Sequence, residues 1–250
     1  MPLAIFRITA FIFWTLVMAS LFLLASVFIK RKKNALLKRH HAGCCRIFNI
    51  TVQTHGKISD KPKTIYVANH ASYIDIPILG SVLEGQFVAK SDVANWPIIG
   101  HLAKLQNTLY VERRASQAKK QSAFLGEALS RGGNLIIFPE GTNTLGDEVK
   151  RFKSSLFGEE VMAQNPHIQP VAVAYSMPDG SRMSEAYRPF YGWPLEMGFF
   201  PHFVEMAKQK GMQADITFHN GFDCNASTDR KEILNTAQAL VEKSVLRVIK

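Results

Sequence analysis

A histidine and an aspartate five positions apart follow a short apolar, β-branched segment. His70 comes one residue after residues 64–68 (Thr-Ile-Tyr-Val-Ala), which have the composition of a buried strand. A turn from His70 to Asp75 can fold the carboxylate back onto the imidazole. The carboxylate then fixes the tautomer and stabilises the imidazolium that forms when His70 accepts a proton. The pair predicts general-base catalysis on a substrate hydroxyl; the alternative is a core histidine beside a helix-capping aspartate.

A second loop with candidate binding groups follows another apolar segment. Residues 138–144 read Phe-Pro-Glu-Gly-Thr-Asn-Thr. Gly141 allows the backbone to come close to a ligand, and Thr142 offers a hydroxyl and an N–H group. Glu140 either orders the loop or binds substrate hydroxyls. The alternative is an ordinary turn between a strand and a helix.

Both loops belong to a set of four sequence blocks that resembles the glycerolipid acyltransferase family, which includes 1-acylglycerol-3-phosphate acyltransferases. The two loops supply the first and third blocks. Residues 100–113, ending in Tyr-Val-Glu-Arg, are similar to the second block, and residues 169–173 (Gln-Pro-Val-Ala-Val) are similar to the fourth. The resemblance spans residues 64–175, and the four blocks occur in the family's order. It strengthens the assignment of His70 and Asp75 as a His-X4-Asp catalytic pair.

The resemblance also implies the substrates and the residues that bind them. Arg113 ends the second block, and the family's arginine at that place is held to bind substrate phosphate. We expect Arg113 and Lys90 to hold the acceptor head group, and Glu140, Gly141 and Thr142 to contribute to substrate binding. The acyl donor is expected to be acyl-ACP or acyl-CoA. We expect no cofactor and no metal, because no His, Cys, Asp and Glu residues have the spacing of metal ligands.

One residue departs from the pattern of many phosphatidate-forming members, which have an arginine after Glu-Gly-Thr. This chain has Asn143 there. Residues 147–157, 197–203 and 228–232 look more like members that acylate lyso-ornithine lipid. The acceptor is therefore predicted to be 1-acylglycerol-3-phosphate or lyso-ornithine lipid.

The N-terminal segment predicts a membrane anchor. Residues 8–29 carry no charge and, at about 1.5 Å per residue, form a helix of roughly 33 Å, close to the thickness of a bilayer's hydrocarbon core. Six basic residues follow it between positions 30 and 39, whereas Arg7 alone precedes it. The positive-inside rule then places the catalytic domain in the cytoplasm, at the inner membrane. The alternatives are a cleaved signal peptide and a helix or helix pair embedded in one leaflet.

Composition narrows the possible partners. The chain of 250 residues is 47% hydrophobic and has a net charge of +10, of which much lies beside the apolar segment. This distribution of charge indicates a membrane surface as the partner. The sequence lacks the interleaved aromatic and basic residues that are typical of nucleic-acid-binding domains, so we do not expect nucleic-acid binding. The three cysteines are read as free thiols in a reducing compartment, with acylation of Cys44 or Cys45 as the alternative.

The pattern of apolar segments predicts the fold. Strands at 64–68, 87–90, 108–112, 134–138, 168–175 and 213–219 alternate with helices at 75–83, 97–105, 115–131 and 228–249. We therefore predict an α/β fold with a mixed, largely parallel sheet flanked by helices, after an N-terminal membrane helix. Residues 1–40 form the anchor and its basic flank, and residues 41–250 form the acyltransferase domain. A thioesterase and a non-catalytic lipid-binding protein are the rival functions for this fold.

Overall fold

The computed structural model describes residues 1–28, 33–96, 99–112, 117–194 and 196–249. Two helices come first, α1 (Pro2–Phe28) and α2 (Lys33–Ile47). By length and composition, Pro2–Ala25 is long and apolar enough to cross a membrane, and 22% of its most apolar 18-residue window is buried inside the protein. Lys30 to Lys32, which carry half of the predicted basic flank, lie outside the described residues.

Strands and helices alternate through the rest of the chain. The strands are β1 (Ile50–His55), β2 (Thr64–Ala68), β3 (Gln86–Lys90), β4 (Leu109–Val111), β5 (Leu135–Ile137), β6 (His167–Ser176), β7 (Met212–Phe218) and β8 (Phe222–Asp223). The helices are α3 (Asp75–Val82), α4 (Ile99–Leu105), α5 (Ala118–Ser130), α6 (Glu159–Met162), α7 (Phe199–Lys208) and α8 (Arg230–Ile249). Short 3₁₀ turns occupy Ser91–Asn95 and Arg188–Phe190.

The strands form one mixed sheet in the order β1-β7-β6-β2-β5-β3-β4, with β8 beside β6. The pairs β1–β7, β6–β2, β2–β5, β5–β3 and β3–β4 are parallel, whereas β7 and β8 run antiparallel to β6. Since β2 and β5 are buried at every position, their unbroken apolar sequences suit the centre of a sheet covered on both faces. The predicted mixed, largely parallel sheet is confirmed.

The two faces of the sheet belong to two separate apolar clusters. Tyr66 and Ala68 contribute to a cluster with residues of α2, α3 and α7. Ile65 and Val67 contribute to the other cluster, with residues of α5, α6 and α8. Successive side chains of β2 therefore point to opposite faces, as strand geometry requires.

Helix α1 packs along the folded domain. Arg7, which is buried, donates to the carbonyl oxygens of Ala207 and Gln209 at the end of α7. Phe11 contacts the rings of Phe48 and Phe203, with ring centroids 5.7 and 5.5 Å away. These contacts hold the first half of α1 against the domain, while large apolar side chains on its other side remain exposed.

Helix α2 completes this packing. The indole nitrogen of Trp14 donates to the carbonyl of His40 at 3.0 Å, and a Cβ added to Gly43 would lie 2.2 Å from the Trp14 ring. Any side chain at position 43 would therefore force the Trp14 ring, or the two helices, to move. The predicted domain boundary at residue 40 falls within α2, which runs without a break from Lys33 to Ile47.

Candidate active site

The His70 side chain is held at the carboxyl end of β2 by Asp75. His70 Nδ1 lies 2.8 Å from Asp75 Oδ2, and the aspartate opens α3. An ionised carboxylate only accepts hydrogen bonds, so the imidazole carries its proton on Nδ1 and has a lone pair on Nε2. The ring is stacked on Phe138, with centroids 4.1 Å apart, and 22% of the His70 side chain is exposed. The arrangement provides an oriented base with access to a ligand.

Asp75 is fully buried and is held by more than the histidine. Its Oδ2 also accepts the backbone N–H groups of Ala71 at 2.8 Å and Ser72 at 3.0 Å. Its Oδ1 accepts the hydroxyl of Tyr175, a residue of β6. Four donors thus fix both carboxylate oxygens, which compensates for the burial of the charge. Sequence reasoning missed Tyr175, because no local signal relates a strand residue to an aspartate 100 positions away.

Glu140 links the second loop (residues 138–144) to the loop that carries His70. Its Oε1 accepts the backbone N–H of His70 at 2.7 Å, and its Oε2 accepts that of Lys150 at 2.8 Å. The residue is 1% exposed. Burial raises the pKa of Glu140 to about 7, although the two N–H groups oppose this rise. Since both oxygens are used within the protein, this position favours an ordering role for Glu140 over direct contact with substrate.

Further hydrogen bonds tie the two loops to the sheet. The Thr144 N–H donates to the carbonyl of His70 at 2.9 Å. The Asn69 side chain bonds both the N–H and the carbonyl of Val173, each at 2.8 Å. Gly141 has a φ of 76°, in the left-handed region that glycine adopts without strain. The loop of residues 69–75 is therefore braced on two sides, which limits movement of His70.

His70 lines a cavity of about 510 Å³ that lies among the helices covering this face of the sheet. Its walls are mostly apolar and come from α1, α2, α3, β3, α4 and α7. Phe11, Phe48, Phe203 and Met206 are examples. A mostly apolar cavity with a few polar groups at one end is the usual form of a small-molecule site.

The other predicted site residues have different placements. Gly141 and Thr142 line the cavity, as does Lys90, whose ammonium is paired with Asp92. Arg113 lies outside the described residues, so its predicted role stays a prediction. Among the described residues, no three His, Cys, Asp or Glu side chains are grouped to hold a metal ion. The predicted absence of a metal and of a cofactor likewise stays a prediction.

Helix α2 also contributes histidines and cysteines that line the cavity or lie next to it. Burial lowers the pKa of His41 to about 3, so this imidazole is neutral. Burial also raises the pKa of both Cys44 and Cys45 to about 12, which keeps these thiols protonated and unreactive. All three cysteines are buried and free, in agreement with the interpretation as unpaired thiols.

Comparison with known structures supports the fold. A crystal structure of the 1-acyl-sn-glycerophosphate (LPA) acyltransferase from Thermotoga maritima superposes with a TM-score of 0.72. The match covers 99% of this chain and 95% of that one, at 18% identity. The similarity in fold thus includes the two N-terminal helices.

Comparison of sequences identifies the family. A lyso-ornithine lipid O-acyltransferase from Rhizobium meliloti is 35% identical over 87% of this chain and 79% of its own length. One from Brucella abortus is 32% identical over 88% of each chain. A 1-acyl-sn-glycerol-3-phosphate acyltransferase from Neisseria gonorrhoeae is 24% identical over 83% of this chain and 78% of its own length. The family model described as Acyltransferase matches residues 49–174, half of the chain, so this protein belongs to the acyltransferase family and is an enzyme, as its sequence blocks predicted.

Proposed function

We propose that the protein is a membrane-bound O-acyltransferase that moves a fatty acyl chain from acyl-ACP or acyl-CoA to the hydroxyl of a lysolipid. The observation that carries this proposal is the 2.8 Å hydrogen bond between His70 and Asp75, with His70 in the wall of a mostly apolar cavity. A histidine base held by a carboxylate needs no protein nucleophile if the substrate supplies the hydroxyl that attacks. The cavity suits an acyl chain.

The reaction is a direct transfer. His70 Nε2 takes the proton of the acceptor hydroxyl while the hydroxyl oxygen attacks the thioester carbonyl, and the imidazolium that forms is stabilised by Asp75. The new C–O bond forms, the C–S bond breaks, and the thiolate of the carrier leaves with the proton from His70. We assign the oxyanion to backbone N–H groups of the turn after Gly141, because Thr142 and Asn143 line the cavity beside His70.

The acceptor is expected to be a lyso-ornithine lipid or 1-acylglycerol-3-phosphate. The relatives from Rhizobium meliloti and Brucella abortus, which are named for the former, are more similar to this chain than the relative from Neisseria gonorrhoeae, which is named for the latter. Asn143 supports the same ranking of the two acceptors, because it stands where many phosphatidate-forming members have an arginine. We therefore place lyso-ornithine lipid first.

We also propose that α1 lies in one leaflet of the inner membrane and that the domain faces the cytoplasm. One side of α1 is held by Arg7, Phe11 and Trp14, so this side does not face lipid. Its other side exposes large apolar residues, and Phe6 and Phe13 are each 69% exposed. A helix with one docked face and one bare apolar face suits partial insertion better than a free transmembrane span.

The activity is tested with labelled acyl-ACP and a panel of lysolipids, with product identified by mass. We expect an acylated lysolipid from the wild type, and a rate lower by about 10²–10⁴ for His70→Ala. The matched control is His55→Ala, which removes an exposed histidine on β1 and should leave turnover unchanged. Acyl thioester cleavage that is independent of any acceptor would instead identify a thioesterase.

The membrane arrangement is tested with engineered cysteines at Leu3 and Ser227, both exposed positions. In sealed cells, an impermeant thiol reagent should reach neither cysteine from outside if α1 stays in the inner leaflet. The native thiols are buried and provide little background. Labelling of Leu3→Cys alone would show that α1 crosses the bilayer, and labelling of Ser227→Cys would contradict the cytoplasmic orientation.

A further inference from the structure

Four aromatic side chains form a corner in the wall of the active-site cavity. This aromatic corner consists of Tyr73, Trp96, Trp193 and Phe199, all of which line the cavity together with His70. The rings of Trp96 and Trp193 are 5.6 Å apart at 83°, and those of Tyr73 and Trp193 are 5.5 Å apart at 76°. Rings at nearly right angles present a π face and a ring edge to the same space.

Hydrogen bonds fix the corner relative to the catalytic loop. The Trp193 N–H donates to the carbonyl of Ala71, next to His70, at 2.9 Å. The Trp193 indole nitrogen donates to Met197 at 2.7 Å. The Tyr73 hydroxyl oxygen lies 2.9 Å from His202 Nδ1. His202 Nε2 lies 3.1 Å from two backbone carbonyls, so it carries the proton and Nδ1 accepts the tyrosine hydroxyl. The side-chain polar atoms of Tyr73 and Trp193 are hydrogen-bonded within the protein. These two side chains therefore contact the cavity through the carbon atoms of their rings.

The side chain of Asn143, in the second loop, also supports the corner. The Asn143 amide donates to the carbonyl of Trp193. A neutral amide of the second loop therefore positions the segment that carries this indole. The second loop and the first loop thus both hold Trp193 in place.

The described cavity walls offer a phosphate little unpaired positive charge. Within those walls, Lys90 is the single residue with a fixed charge, and its ammonium is paired with Asp92. His41 is neutral because of its burial. Aromatic faces attract a cation through the ring quadrupole, most strongly where water is displaced.

We propose that the aromatic corner binds the primary ammonium of an amino-acid head group on the lysolipid acceptor. This inference rests on the proposed function, because it concerns the acceptor of the same reaction. Ornithine has a side-chain ammonium and no phosphate. An ammonium in the corner is close to the catalytic loop through Trp193 and Ala71, so the head group helps to place the acceptor hydroxyl beside His70.

The test compares two acceptors that differ by one ammonium group, with full-length enzyme in detergent. One is 3-hydroxyacyl ornithine, and the other is 3-hydroxyacyl norvaline, which has the same carbon chain without the amine. We expect the wild type to prefer the ornithine acceptor by about 3–30-fold in kcat/KM, the range of a cation–π contact. Trp96→Leu should lower this preference by raising KM for the ornithine acceptor alone.

The controls separate recognition from packing. Trp96→Phe keeps a π face and should retain part of the preference, and Phe124→Leu removes an exposed aromatic of α5 and should change nothing. Equal losses for both acceptors in Trp96→Leu, or no preference in the wild type, would overturn the proposal. Acylation of 1-acylglycerol-3-phosphate but not of the ornithine acceptor would overturn it while leaving the lysolipid acyltransferase function intact. Acylation of no lysolipid would overturn the proposed function itself.

Discussion

Replacing Glu140 by glutamine should change how the stability of the enzyme depends on pH. Burial raises the pKa of Glu140 from its ordinary value of 4.5 to about 7, so the folded protein prefers the protonated carboxyl. The unfolded chain ionises this group near 4.5. As pH rises from about 4.5 to about 7, the unfolded state gains charge before the folded state does, and the free energy of unfolding falls. At 1.36 kcal/mol for each pKa unit, the loss is about 3 kcal/mol.

Glutamine cannot ionise, so the Glu140→Gln variant should lack this decrease. At pH 5 the variant should also be less stable than the wild type by about 1–3 kcal/mol. Its amide NH₂ group is a hydrogen-bond donor, so it would leave one of the two backbone N–H groups without an acceptor. Urea unfolding of the detergent-solubilised enzyme, followed by tryptophan fluorescence at several pH values between 5 and 8, measures both effects.

Glu148→Gln is the matched control. Glu148 lies on the same loop, its side chain is 61% exposed, and its ion pair with Lys150 is 3.8 Å long. We expect its effect to stay within about 0.5 kcal/mol at every pH. Parallel pH profiles for the wild type and Glu140→Gln would refute the reasoning, since they would show that Glu140 is already ionised at pH 5 in the folded enzyme.

Three further changes test other parts of the structure. Asp75→Asn should fold but turn over about 10²–10⁴-fold more slowly, because an amide cannot stabilise imidazolium; steady-state kinetics measures this, and unchanged turnover would remove Asp75 from the mechanism. Gly43→Ala should lower Tm by forcing α1 away from α2, whereas Gly198→Ala, whose added Cβ would come no closer than 3.7 Å to its neighbours, should not. His41→Ala should join the main cavity to the smaller one that His41 also lines, and so raise kcat/KM for longer acyl chains; an unchanged chain-length profile for a series of acyl-ACP donors would contradict this.

The sequence predicted the parts of the structure whose signals are local. The central strands are continuous apolar segments, and the loops after β2 and β5 carry residues whose chemistry is apparent from their types. Helix α2 was not predicted, because its many basic and histidine residues resemble a polar flank. Strand β1 was also missed, since its exposed residues from Thr51 onward alternate too weakly to indicate a buried strand.

The site residues that the sequence did not predict are brought to the site by tertiary contacts. The hydroxyl of Tyr175 reaches Asp75 only because β6 lies beside β2 in the sheet. Similarly, Trp193 comes near the loop that carries His70 through a chain segment without regular structure, where the sequence offers no periodicity to interpret. Such partners depend on strand order and loop path, which a single sequence does not encode in any short pattern.

The docking of α1 has a kinetic consequence. Phe11 of α1 and Phe203 of α7 belong to the cavity wall, while α1 itself offers bare apolar side chains to its surroundings. With α1 in a leaflet, an acyl chain can slide from the lipid phase into the cavity without being surrounded by water. Exposing ten methylenes to water costs about 8 kcal/mol, which would slow exchange by roughly a millionfold. If α1 lies in a leaflet, lateral entry avoids that barrier and turnover should follow the fluidity of the bilayer. A shortened enzyme without α1 would lose this route together with Phe11, the side chain of α1 that lines the cavity.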